Sequence, residues 1–257
     1  MSYTIDERNP ERQQLLAEFL NPPTREVLAR LPKIAKARVL DLGCGQGNTT
    51  RCLADALNSD ECIGLEYDAG LVEYAASRPD NPSGVTFQQG DATRLPFADA
   101  SFDVVFCRYL LIHMAEPARV VREMMRVVRR GGFAVAYEAD CSTREFSHPP
   151  SAAVDALHRV WQVFQNPGAG RKVVQYFRDA GASSLQAGAV LLLEHGTNKI
   201  KRCYRLTAEA AGPAAIAKGL LTAHEVADMV EGLTRLEHDA ASILVKFPDM
   251  WVIAEKT

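Results

Sequence analysis

No apolar run in this sequence approaches the roughly 20 residues needed to cross a bilayer, and the longest, such as Ala189 to Leu193, stop far short. The opening segment Met1-Ser2-Tyr3-Thr4-Ile5-Asp6-Glu7-Arg8 lacks the apolar core of a secretory signal. Neither membrane insertion nor export is expected, and a cytoplasmic location follows. The six cysteines, Cys44, Cys52, Cys62, Cys107, Cys141 and Cys203, include no C-x-x-C pair and join no histidine cluster at zinc-ligand spacing. Reduced thiols and no metal site are therefore expected. A large charge excess is missing too, because the formal net charge is only -3 and gives no general pull toward nucleic acid. A small molecule is the favoured partner, and nothing in the sequence indicates an oligomeric state.

What is present is a chain of 257 residues, 47% hydrophobic and 24% charged, able to bury a large core. From Ala37 to Glu138, short apolar runs alternate with amphipathic segments, the pattern of right-handed crossover units in an α/β sheet. Val39-Leu40-Asp41-Leu42, Cys62-Ile63-Gly64-Leu65, Val85-Thr86-Phe87, Phe102-Asp103-Val104-Val105-Phe106 and Phe133-Ala134-Val135-Ala136-Tyr137 read as successive strands. Their continuous apolar character implies a sheet covered on both faces. The clearest helix starts near Pro117, places Val121, Met125 and Val128 on one stripe, and is expected to stop at Gly131-Gly132. Arg122, Arg126, Arg129 and Arg130 read as complements to its C-terminal dipole rather than as a nucleic-acid patch.

Beyond Asp140 the alternation loosens. Helices are expected at Ala152 to Phe164 and Arg171 to Ala180, with a break at Asn166-Pro167-Gly168, a sixth strand within Leu185 to Leu193, and a final strand at Trp251-Val252-Ile253-Ala254. Between the last two strands the chain reads mainly as helix, with a capping box at Thr222-Ala223-His224-Glu225. One domain over 1–257 is expected: an N-terminal helical lid at 1–36, a cofactor-binding half at 37–140, and a substrate-side half with helical insertions at 141–257.

Three elements carry chemistry. Gly43, Gly45 and Gly47 lie where a strand turns into a helix, so that a ligand can approach the backbone amides. Asn48 stands where a dinucleotide fingerprint needs a third glycine, and no Gly-Lys-Ser/Thr follows, so phosphate binding is disfavoured. Glu66 closes the second strand, where a ribose diol lies in nucleoside-binding α/β folds, or else it caps a helix. Asp91, after the third strand, suits an exocyclic amino group or an ordinary turn.

In this order the elements resemble the class I S-adenosylmethionine-dependent methyltransferase family, small-molecule branch, over about Arg38 to Asp140. The match comprises Leu40-Asp41-Leu42-Gly43-Cys44-Gly45-Gln46-Gly47, Gly64-Leu65-Glu66, Gly90-Asp91-Ala92, Leu95-Pro96-Phe97, Ser101-Phe102-Asp103-Val104-Val105 and Val127-Val128-Arg129-Arg130-Gly131-Gly132. The resemblance implies a Rossmann-like, mostly parallel seven-stranded sheet with helices on both faces and a helical cover. It also implies that Gly43 and Gly45 line the methionine moiety, Glu66 binds the ribose hydroxyls, and Asp91 with the Ala92 amide reads the adenine. Asp41 would reach the methionine ammonium through water. Tyr67 either flanks the adenine or covers the sheet, and Arg108 either meets the cofactor carboxylate or packs across the sheet end. Tyr3 and a helix around Arg12 to Phe19 resemble the lid of some members.

Methyl transfer from a sulfonium is an in-line displacement, so positioning and water exclusion matter more than a base. For a phenol or alcohol acceptor His113 is the candidate base, with a packing role as its alternative. Glu138 and Asp140 follow the fifth strand, where they either serve the acceptor or form a polar loop exposed to water. His148, Trp161, Phe164 and Tyr176 either line an acceptor pocket or belong to the core. No Asn-Pro-Pro-Tyr or Asp-Pro-Pro-Tyr follows the fourth strand, so the acceptor is expected to be a metabolite or natural product methylated at O, N or C. The alternatives are a non-methylating biosynthetic step in the same pocket and a nonenzymatic cofactor binder.

Overall fold

The computed structural model describes residues 8–196 and 199–257, so Tyr3 lies outside the described residues. Helix α1 (Pro10–Leu28) is started by Asn9, whose side chain accepts the Arg12 amide, and by Pro10 in its first turn. It runs well past Phe19, through Pro22 and Pro23. These prolines remove helical N–H donors, while the Thr24 hydroxyl donates to the Leu20 carbonyl at 2.7 Å. Burial of Leu20, Val27 and Leu28 holds the segment in place.

The crossover units follow as β1 (Arg38–Leu42), α2 (Asn48–Ala56), β2 (Glu61–Glu66), α3 (Ala69–Ser77), β3 (Val85–Gln89), β4 (Phe102–Arg108), α4 (Pro117–Val127) and β5 (Val128–Ala139). Next come β6 (Phe146–His148), α5 (Ala152–Val160), α6 (Ala169–Asp179), β7 (Ser184–Val190), β8 (Leu193–His195), α7 (Lys199–Ala217), α8 (Ala223–His238), β9 (Ile243–Val245) and β10 (Asp249–Glu255). The main sheet has seven strands in the order β3-β2-β1-β4-β5-β10-β7. β10 runs antiparallel to both of its neighbours, and the other pairings are parallel. The Rossmann-like, mostly parallel sheet expected from the sequence is therefore what forms.

Because side chains alternate along a strand, each central strand feeds two cores. Leu40, Leu42, Val105, Cys107, Ala134 and Ala136 pack on one face with residues of α4 to α8. Val39, Val104, Phe106, Val135 and Tyr137 pack on the other with α1 and α2.

Several boundaries differ from expectation. The helix starting at Pro117 ends at Val127, because Val128 already pairs with Phe102 in the sheet. Gly131 and Gly132 thus lie within β5, where a Cβ on Gly132 would approach the Asp103 carbonyl to 2.7 Å. Arg129 is accordingly a strand residue that donates to Asp103 at 2.6 Å, not part of a helix C-terminus. The stretch 152–164 closes as a 3-10 turn at Trp161–Val163. β7 ends at Val190, and Leu193 enters a second sheet of order β6-β9-β8 that the sequence pattern did not suggest. The capping box at Thr222 and Glu225 forms as expected.

Candidate cofactor and acceptor site

The turn from β1 into α2 is built by left-handed backbone at Gly43 (φ 67°) and Gly45 (φ 53°), a region side-chain-bearing residues rarely adopt. The two positions need glycine for different reasons. A Cβ on Gly43 would sit 2.8 Å from Leu110 Cδ1, whereas a Cβ on Gly45 would meet nothing within 4 Å. Gly43 thus admits a neighbour of the chain itself, and Gly45 borders open space. Asp41, beneath the turn, accepts the Thr50 hydroxyl at 2.7 Å and lies outside the residues that line the cavities, with burial pushing its pKa up to about 7.

Glu66 ends β2 almost fully buried, and its carboxylate accepts the amides of Gly45 (3.0 Å), Tyr67 (2.6 Å) and Asp68 (3.0 Å). The carboxylate is therefore held in one orientation at the edge of the glycine turn. Asp91 spends Oδ1 on the amide and hydroxyl of Thr93, both at 2.8 Å, which makes it a turn residue as well as a wall residue. Two adjoining cavities meet here. The larger encloses about 1050 Å³, its open mouth included, and the smaller about 480 Å³. Gly43, Glu66 and His113 border both; Gly45 and Arg108 line the larger, and Tyr67, Asp91 and Ala92 the smaller. Gly43, Gly45, Glu66, Tyr67, Asp91, Ala92, Arg108 and His113 thus border this paired space, whereas Asp41 and Glu138 do not.

Arg108, at the end of β4, also donates from Nη1 to Asn21 (2.9 Å) and Thr24 (3.1 Å), so it ties the sheet edge to α1. Burial lowers its pKa. His113 closes a 3-10 turn (Leu111–His113) with its ring edge-on to Phe164, the centroids 5.1 Å apart. Glu138 sets that turn, because its Oε1 accepts the amides of Leu110 and Leu111 at 2.9 Å each. Glu138 is fully buried away from the cavity walls, and burial raises its pKa to about 8. Asp140 is buried too and receives Ser142, Thr143 and Arg171; these donors outweigh the upward push of burial and lower its pKa. Neither carboxyl belongs to a water-exposed loop, which corrects that reading.

The larger cavity continues from the glycine turn into an aromatic chamber. Trp161 and Phe164 border it, as expected, while His148 and Tyr176 do not. His148 is exposed on β6, and Tyr176 accepts a hydrogen bond from Asn166. Gln13, Leu16 and Phe19 of α1 form another wall. Tyr109, Tyr204, Lys246 and Phe247 escaped the sequence reading. The lysine breaking the apolar run Ile243-Leu244-Val245-Lys246-Phe247 was the one signal available. Its ammonium lies 2.5 Å from Asp249 Oδ1, with both side chains essentially buried.

Residues 40–136 match the family described as a methyltransferase domain. The matched stretch carries the glycine turn, Glu66, Asp91 and His113. The uncharacterized methyltransferase YcgJ of Bacillus subtilis is 42% identical over 100 residues, covering 38% of this chain and 39% of the relative. A demethylmenaquinone methyltransferase of Beutenbergia cavernae is 39% identical over 132 residues, covering 51% of this chain and 50% of the relative. These alignments span half or less of either relative. The crystal structure of Bacillus subtilis YcgJ superposes with a TM-score of 0.62 at 21% identity, covering 93% of this chain and 99% of that one, a likeness of fold. The matched methyltransferase stretch ends before Trp161, Tyr204 and Lys246, so the aromatic chamber is built largely from residues outside it.

Proposed function

We propose that the protein transfers a methyl group from S-adenosylmethionine to O, N or C of a small, ring-bearing metabolite. The observation that carries this reading is one cavity running from Gly43, Gly45 and Glu66 to the aromatic side chains Trp161, Phe164, Tyr204 and Phe247. The residues suit the cofactor. Open space beside Gly45 and an oriented carboxylate at Glu66 fit the amino-acid and ribose ends, and the smaller cavity at Asp91 and Ala92 fits the base. S-adenosylmethionine supplies an activated sulfonium methyl when bound.

The protein then needs to align an acceptor and exclude water. Helix α1 serves as the lid, pinned by Arg108 from below and by the ion pair of Glu18 with Lys199 on α7. His113, shared by both cavities, is the base for a hydroxylated acceptor. The cysteines are buried thiols rather than disulfides, which supports a cytoplasmic setting. Among the described residues no helix is long and apolar enough to cross a membrane. A relative named for demethylmenaquinone accords with a small-molecule acceptor.

The test is incubation with methyl-labelled S-adenosylmethionine and a host-cell metabolite extract. A labelled small molecule together with S-adenosylhomocysteine is the expected result. Absence of cofactor binding by calorimetry would overturn the reading.

A further inference from the structure

We infer that the inner end of the aromatic chamber is an oxygen anchor, formed by Tyr204 and Lys246, that selects planar acceptors carrying a phenol, enol or carbonyl oxygen. The inference rests on the acceptor pocket proposed above and names the chemistry that pocket selects.

The chamber walls are contiguous aromatic rings. His113 meets Phe164 edge-on; Phe164 stacks on Trp161 with centroids 6.1 Å apart and 7° between planes; Trp161 meets Tyr204 at 5.4 Å and Phe247 at 5.6 Å. A flat apolar body fits between such walls. The series leads from His113, beside the cofactor cavity, to Phe247, whose ring carries the Lys246 ammonium 4.0 Å from its centroid.

The polar valences left at that end include a donor from each of two side chains, the Tyr204 hydroxyl, which can also accept, and the Lys246 ammonium. Tyr204 is only 3% exposed and borders the cavity, yet its hydroxyl has no hydrogen-bond partner among the described residues. Leaving such a group buried without a partner is costly, and a ligand that supplies one removes that cost. Lys246 has three N–H groups. Among the described residues it spends them on two acceptors, the Phe247 carbonyl at 3.0 Å and Asp249 Oδ1 at 2.5 Å. One N–H is left for a ligand at the cavity wall.

The acidic groups nearby are already engaged. Asp249 receives Lys246, the Tyr109 hydroxyl at 2.6 Å and the Tyr137 hydroxyl at 3.3 Å. Glu145 receives the Trp161 indole N–H and lies 3.3 Å from His158 Nδ1. A cationic amine entering here would find its carboxylate partners taken and a resident ammonium facing it. An oxygen with lone pairs would instead satisfy Tyr204 and the third N–H of Lys246. Ring walls plus two polar side chains on the same cavity wall define the acceptor class.

The test uses 2-naphthol, its isostere 2-methylnaphthalene and 2-naphthylmethylammonium as probes, titrated by ligand-observed NMR with and without saturating S-adenosylhomocysteine. We expect 2-naphthol to bind about tenfold or more tightly than 2-methylnaphthalene, the scale of a buried hydrogen bond. The ammonium probe should bind weakest. Tyr204→Phe removes an unpartnered hydroxyl, so its melting temperature should hold or rise, and S-adenosylhomocysteine affinity should not change. In that variant the naphthol preference should shrink at least threefold while 2-methylnaphthalene binds as before. An unchanged preference in Tyr204→Phe, equal binding of the neutral probes, or tightest binding of the ammonium probe overturns the anchor. Calorimetry with S-adenosylhomocysteine alone tests the methyltransferase reading separately, and the naphthol preference measured without it still decides the anchor.

Discussion

Glu66 Oε2 accepts the amide of Gly45 at 3.0 Å, so the end of one parallel strand locks the glycine turn that leaves its neighbour. A carboxylate held by three backbone amides cannot swing away, and its orientation is set before any ligand arrives.

Glu66→Ala should therefore weaken S-adenosylmethionine binding about 10- to 100-fold, the range for lost hydrogen bonds to a charged group. Calorimetry of the variant beside wild-type protein checks this. Undiminished affinity would remove Glu66 from the cofactor site.

For His113, the expected outcome of His113→Gln is a fall in turnover of about 100-fold with a hydroxylated acceptor. S-adenosylhomocysteine affinity should stay the same. Full turnover across pH would make His113 a wall residue only.

Stability should fall as pH rises from about 5 to 8. The Glu138 carboxyl, raised by burial from 4.5 to about 8, keeps its proton in the folded state after the unfolded chain has lost it. The folded state binds more protons in that window, so each step upward in pH favours unfolding. Asp41 and Glu145, each raised by burial to about 7, act in the same direction. Glu138→Gln preserves an oxygen acceptor for Leu110 and Leu111 and should reduce the slope of urea-denaturation free energy against pH. An unchanged slope would assign the effect to the other two acids.

The Lys246 and Asp249 pair offers a stability test. Lys246→Met leaves the Asp249 carboxylate buried without its cation and should cost about 3–5 kcal/mol in denaturant unfolding. The double variant Lys246→Met/Asp249→Asn should recover at least half of that loss, since the uncompensated charge is gone. Equal losses in both variants would mean that packing, not charge, sets the cost.

The cofactor half was legible because its signals are local. Left-handed glycines, a carboxylate at one strand end and an aspartate at the next lie in short motifs, and Gly43, Gly45, Glu66 and Asp91 all reach the paired cavities. The acceptor half was not, because its chemistry comes from distant segments. Tyr109 meets Asp249 across 140 positions, and no spacing pattern encodes that contact. Glu138 was misread as a surface candidate for a related reason: its partners are amides of Leu110 and Leu111, which any sequence supplies. The end of α4 was misplaced because Val128 satisfies the helical stripe and the strand equally. Pairing with Phe102 decides between them.

The reversed strand β10 makes the far edge of the sheet depend on the end of the chain. β7, earlier in the chain, pairs in the main sheet through β10 alone, so residues 184–190 join it only with or after residues 249–255. Until then the β5 edge presents unpaired backbone groups, a template for pairing with another chain. The same docking event delivers Asp249 to Tyr109 and Lys246. The first five strands thus carry the glycine turn, whereas the chamber takes Tyr204, Lys246 and Phe247 from the chain beyond them.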